Sequence, residues 1–154
     1  MAEVIAGRMT AEMDGDFVVF LIGMRVNRWW KLHKWWPVVT AMSRMLKELA
    51  ANPESGCLAT ESGFGTIVQY WRSFDHLEAY ARAPTREHWP AWTAFNKRVR
   101  ASSGDVGIWH ETFLVAAGQF EALYGSMPPK GLARAGRLVP VVATRNDARQ
   151  RVGT

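Results

Sequence analysis

The chain has 154 residues, 48% hydrophobic and 21% charged, a balance that suits one folded domain and excludes a disordered chain. Its formal net charge of +5 belongs wholly to residues 130–154, where Lys130, Arg134, Arg137, Arg145, Arg149 and Arg151 meet Asp147 alone; residues 1–129 hold thirteen basic and thirteen acidic side chains. A neutral folded part argues against a nucleic-acid partner, and the single Cys57 excludes an intramolecular disulfide or a cysteine-built zinc site.

A reducing, cytoplasmic setting follows from that cysteine usage. The first residues are acidic (Glu3, Glu12, Asp14, Asp16) rather than basic and then apolar, so no secretory signal is expected. The longest apolar run, 17–22, is far shorter than the roughly 20 residues a bilayer span needs, and no membrane partner is expected.

In chain order, residues 17–27 read as a strand after the turn at 14–16, apolar at nearly every position and so covered on both faces. An aromatic and basic connection, RWWKLHKWW at 28–36, follows. Pro37 sits where a helix accepts its first residue, and Val38, Met42, Met45, Leu46 and Leu49 recur at helical spacing to about Ala51. Short strands at 57–61 and 65–72 make a hairpin. Ser73 reads as the N-cap of a short helix to about Ala81. A second helical stretch starts at Thr85, with Trp92, Phe95 and Val99 on one face, and breaks at 102–105. Residues 106–115 return as a strand, 118–124 add a fifth strand or an arm, and 130–154 form a basic, loosely packed C-terminal tail beyond a single domain at 1–129.

The order strand, helix, strand, strand, helix, strand is the split βαβ, ferredoxin-like α+β plan. Helices on one face leave the other sheet face apolar and open, so a homodimer is predicted. Eight tryptophans exceed what one small core hides easily, which points to a pocket or a partner.

These residues resemble a known family. Trp71 and Ser73 leading into a short helix, with His88 following, are similar to the antibiotic-biosynthesis monooxygenases. The fuller pattern covers roughly 8–133: FLIGMRVN at 20–27, QYWRS at 69–73, VGIWHE at 106–111, EALY at 121–124, Met127-Pro128 and Gly131-Leu132. It resembles a domain family of unknown function (DUF4188) grouped with fungal polyketide monooxygenases of the fumagillin-pathway type. The resemblance implies a dimeric α+β barrel with a pocket between sheet and helices. It implies either cofactor-free monooxygenation, in which a deprotonated substrate itself reduces dioxygen, or, as the alternative, haem chemistry of the aldoxime-dehydratase or haem-degrading kind.

His88 matches the position that resembles the iron ligand of haem-degrading relatives. His110 and Glu111 are strand neighbours and must face opposite ways, so they cannot be one dyad. Either His88 or His110 suits a general base near neutral pH or, with haem, an iron ligand. Asn27 can donate to a developing oxyanion, with Arg25 beside it. Trp71, Trp89, Trp92 and Trp109 are expected to exclude water, and Tyr70 and Tyr124 to line or contact a small apolar or aromatic, polyketide-like substrate. No cofactor is expected on the leading reading. A non-catalytic module holding an apolar ligand is the remaining alternative. The Trp29–Trp36 stretch is assigned to a pocket rim or a subunit seam rather than to nucleic acid or lipid.

Overall fold

The β-branched run after the Asp14–Asp16 turn becomes the central strand of a four-stranded sheet. The computed structural model describes residues 3–63, 65–83 and 104–152. Its elements are β1 (Ile5–Glu12), β2 (Phe17–Val26), α1 (Leu32–Ala51), β3 (Cys57–Gly63), β4 (Thr66–Trp71), α2 (Phe74–Arg82), β5 (Val106–Val115), β6 (Tyr124–Met127), α3 (Leu132–Ala135), β7 (Arg137–Pro140) and α4 (Ala148–Arg151). The main sheet has the order β3-β4-β2-β5, antiparallel throughout. With α1 and α2 as the connections, this is the ferredoxin-like α+β fold. The helix expected from Thr85 lies outside the described residues.

Register settles which side chains share a face. Val18 pairs with Trp71 and Leu114, Phe20 with Gln69 and Thr112, Ile22 with Ile67 and His110, and Met24 with Ile108. This set faces the helices: Val18 and Trp71 pack with Leu49 of α1 and with Leu77 and Tyr80 of α2, while Met24, Val106 and Ile108 pack with Trp35 and Val38 of α1. Trp71 has no exposed surface and stacks obliquely on Tyr80, ring centroids 5.4 Å apart. The alternate residues, among them Phe17, Arg25, Tyr70, Trp109 and Glu111, take the opposite face.

Two helix starts show how local chemistry was used. Ser73 caps α2 as the sequence predicts, its Oγ accepting from His76 N–H at 3.3 Å and lying 2.7 Å from His76 Nδ1. The imidazole in turn lies over Gly56, which has φ +82 and whose missing Cβ would fall 2.4 Å from the ring. Helix α1 starts at Leu32, five residues before the expected Pro37. Its opening is tight, with Lys34 N–H donating to Lys31 O at 2.9 Å, and Pro37 forfeits one later helical bond because it has no N–H.

The ends of the chain differ most from expectation. Strand β1, in a segment for which no element was expected, pairs with β6 and β7 in a second antiparallel sheet of order β6-β1-β7. Its register shifts between Ile5 and Arg8, where Gly7 takes φ +94, a bulge a side chain would strain. Residues 130–152 are therefore not loose. Arg137 reaches Glu12 and Asp14 at 3.3 and 3.1 Å, Arg145 reaches Glu12 at 2.7 Å, Arg134 reaches Glu61 at 3.1 Å and the buried Arg151 reaches Glu121 at 2.6 Å. The basic excess of the tail meets acidic side chains of the preceding residues. Arg145, then Arg137, holds the Glu12 carboxyl below its usual range. Strand pairing, rather than the exposed ion pairs among these, carries the docking.

One acidic residue clips the main sheet to α1. Asp105, 2% exposed, accepts from Lys31 Nζ at 2.8 Å through Oδ2, while Arg28 Nη1 lies 2.9 Å from Oδ1 without hydrogen-bond alignment. Lys31 first, with Arg28 in support and burial opposing, holds this carboxyl below its ordinary range. A depressed carboxylate stabilises the fold above the unfolded-state pKa of about 3.9 and loses that contribution as pH falls toward the folded value. The melting-temperature gap between wild type and Asp105→Asn is therefore expected to be widest at neutral pH and to close below about pH 4. A gap independent of pH would show that the pair is not electrostatic in origin.

Candidate functional site

The helix-side face of the main sheet carries two polar groups among apolar neighbours. His110 stands on β5 opposite Ile22, with its ring 5.7 Å from that of Phe20 at 36°. Its strand is an edge, and residues 109–114 are exposed. Gln69 stands on β4 opposite Phe20, only 2% exposed. The two flank Phe20 diagonally, with Cα atoms about 12 Å apart from strand spacing and rise. A fused aromatic ring can be reached from both.

Gln69 has a particular asymmetry. Its Oε1 accepts from the indole N–H of Trp71 at 3.0 Å, which assigns the amide orientation, and its Nε2 is buried without an acceptor among the protein atoms. Buried donors are nearly always paired, and leaving one unpaired costs about 1–3 kcal/mol. The arrangement leaves a fixed N–H₂ enclosed on this face without a partner among the described residues. Sequence reading passed over Gln69. The available signal was a polar residue alternating with Trp71 and Ile67 on an otherwise apolar strand face.

The other expected residues are not gathered here. Trp71 is on the same face but in the closed core, while Trp109 lies across the sheet, 40% exposed, its ring covering Gly23. Trp71 and Trp109 therefore cannot wall one chamber within this chain, because strand alternation puts them on opposite sides. Arg25 is exposed on the Trp109 side. Asn27 is exposed past the end of β2, and its amide donates to Gly104 O at 2.8 Å, fastening the turn into β5. His88, Trp89 and Trp92 lie outside the described residues.

Tyr70 and Tyr124 do meet, at the seam between the two sheets. Tyr124 Oη accepts from Ala133 N–H at 3.2 Å, Tyr70 Oη lies 3.0 Å from where a Gly131 Cβ would be, and Glu61 accepts from Gly131 N–H at 2.9 Å. Burial, together with the Glu61 charge, pushes both phenols up, so they remain protonated donors. These contacts seat α3 on β3 and β4. Part of the face expected to need a partner is thus covered by the chain itself, with Phe120 edge-on to Phe17 at 5.5 Å. Trp109 and Phe113 stay exposed on it. Burial also pushes the Cys57 thiol up, which disfavours the nucleophilic thiolate. Among the described residues no cluster of three or more potential ligands could hold a metal ion, and no helix is long and apolar enough to cross a membrane.

Comparison with known proteins agrees with this fold. A monooxygenase, af470, of Aspergillus fumigatus is 29% identical over 160 residues, covering 87% of this chain and 56% of the relative. Among solved structures, an aldoxime dehydratase superposes with TM-score 0.63 at 18% identity over 92% of this chain and 45% of its own. Another, in complex with butyraldoxime, gives 0.57 at 16% over 94% and 42%. The chain thus spans about half the length of these proteins, and at such identities the structures speak for the fold alone. The pattern of the af470-like monooxygenases matches residues 17–132, most of the chain and all of the main sheet. This chain belongs to the af470-like monooxygenase family.

Proposed function

We propose that the protein is a cofactor-independent monooxygenase-like enzyme for an apolar or aromatic, polyketide-like substrate bound on the helix-side face of the main sheet. The observation that carries this reading is the pairing of an accessible imidazole, His110, with the unpartnered amide donor of Gln69 on either side of Phe20. His110 takes a proton from an activated CH₂ of the substrate. Gln69 Nε2 donates to the oxygen on which the negative charge settles, the role expected of Asn27, whose amide is engaged at the turn. The carbanion supplies the electrons to dioxygen. One oxygen ends as the new C=O, the other leaves as water with the two hydrogens of the CH₂, and no outside reductant is consumed. A second copy covering Trp109 and Phe113 on the opposite face completes the proposed homodimer.

A haem enzyme is the second reading, favoured by the likeness to the aldoxime dehydratase fold. His110 would hold the haem iron, with Phe20 as its apolar neighbour, and the haem would supply Lewis-acid or redox chemistry there. One titration separates the two. Oxygen uptake with an electron-rich anthrone or phenol by colourless protein supports the first. A Soret band on adding haemin, shifted in His110→Ala, supports the second, and neither response would leave a ligand-binding module.

A further inference from the structure

Of the tryptophans at the start of α1, Trp35 packs against the main sheet, whereas Trp29, Trp30 and Trp36 are exposed. Trp29, Trp30, Leu32 and Trp36 are 60%, 76%, 54% and 54% exposed, and Trp30, Leu32, His33, Trp36 and Pro37 line one shallow cleft. Together the four large side chains present roughly 500 Å² of apolar surface, the upper end of what monomers leave open. The stretch expected to form a pocket rim or a subunit seam thus presents an open apolar patch.

We propose that this patch docks the protein peripherally on an anionic lipid surface. Charge is the deciding observation. Residues 28–47 contain Arg28, Lys31, Lys34, Arg44 and Lys47 and no Asp or Glu, although residues 1–129 as a whole are neutral. Among the described residues Asp105 offsets Arg28 and Lys31, and Glu48, which follows Lys47, accepts from Tyr80. Helix α1 has no acidic residue in its first turn and no side-chain cap, so the positive end of its dipole adds to the same field. Indole rings beside lysines that can extend toward headgroups are the chemistry of an interfacial helix. Arg44 and Lys47 continue the exposed side of α1 for two more turns.

Two other occupants fit less well. A single-stranded nucleic acid stacks bases on a series of rings, whereas Trp29, Trp35 and Trp36 are held edge to face at 73° and 68° rather than as parallel platforms, with Trp30 the most open ring. A second copy joined about a two-fold axis would bring like charges together. Trp35 Nε1–H also donates to Trp29 O at 3.1 Å, which holds the loop in place before any partner arrives. The proposal runs against the expectation of no membrane partner, and the vesicle experiment decides between them.

Vesicle flotation tests the proposal, using phosphatidylcholine with and without about 30% phosphatidylserine. The full chain is expected to float with the anionic vesicles, to release as salt rises, and to bind pure phosphatidylcholine much less. Trp30→Ala with Trp36→Ala removes exposed rings only and is expected to weaken partitioning about tenfold or more. Lys34→Glu is expected to weaken it comparably, at about fivefold per unit of positive charge removed. Absence of flotation, or flotation of both variants at the wild-type level, overturns the proposal. So does self-association that the tryptophan variant abolishes, which makes the face a subunit interface. Salt-sensitive retention on oligothymidylate lost in the same variants, without flotation, assigns it to nucleic acid.

Discussion

Trp71→Ala is expected to remove about 3–5 kcal/mol of folding stability, the usual cost of emptying a buried tryptophan site. The residue has no exposed surface and joins the sheet to both helices, touching Val18, Leu49, Leu77 and Tyr80. Whole domains are stable by about 5–15 kcal/mol, so this one change takes a large share. Trp71→Phe separates packing from hydrogen bonding. It keeps most of the ring volume but strands the Gln69 Oε1, and is expected to cost about 1–3 kcal/mol. Denaturant unfolding followed by circular dichroism reads both. A Trp71→Ala loss below about 1 kcal/mol would mean that the core sits elsewhere.

His110→Ala is expected to lower kcat by about 10²–10⁴-fold, the usual contribution of a positioned base. Folding stability is expected to stay within about 0.5 kcal/mol, since the side chain stands on an exposed edge strand. Glu111→Gln is the internal control, one residue away on the opposite face. Gln69→Glu keeps an acceptor for the Trp71 indole but replaces the free N–H₂ with oxygen, and is expected to cost about 10²-fold in kcat/KM. Steady-state oxygen uptake with one substrate measures all three. Full activity in His110→Ala, or a larger loss in Glu111→Gln, would move the chemistry to the other side of the sheet and defeat the proposed site.

Much of the main sheet could be read before folding was considered. Residues 106–115 coincide with β5, the 17–27 run contains β2, and Ser73 caps α2, because each depends on neighbours a few positions away. The start of α1 was misplaced because Pro37 is so strong a start signal. The tight turn at Arg28–Lys34 instead lets the helix begin earlier. Strands β1 and β7 escaped notice for a different reason. Neither has an apolar alternation of its own, and Thr10 finds Val139 only when residues more than a hundred apart in sequence are aligned.

The candidate site divides along the same line. Residue types in the sequence were enough to say that His110 and Glu111 part company, since adjacent strand residues always do. The choice of face came from register: pairing with Ile22 puts His110 beside Phe20, and a slip of one residue would have exchanged it with Glu111. Register likewise separated Trp109 from Trp71 and placed Gln69, an unremarked residue in a hairpin, under the helices with its amide half satisfied. Composition and periodicity determined which segments become strands and helices, because those preferences are local. Tertiary structure alone decided which polar groups share a surface, because that depends on contacts between distant segments whose energies no short window contains.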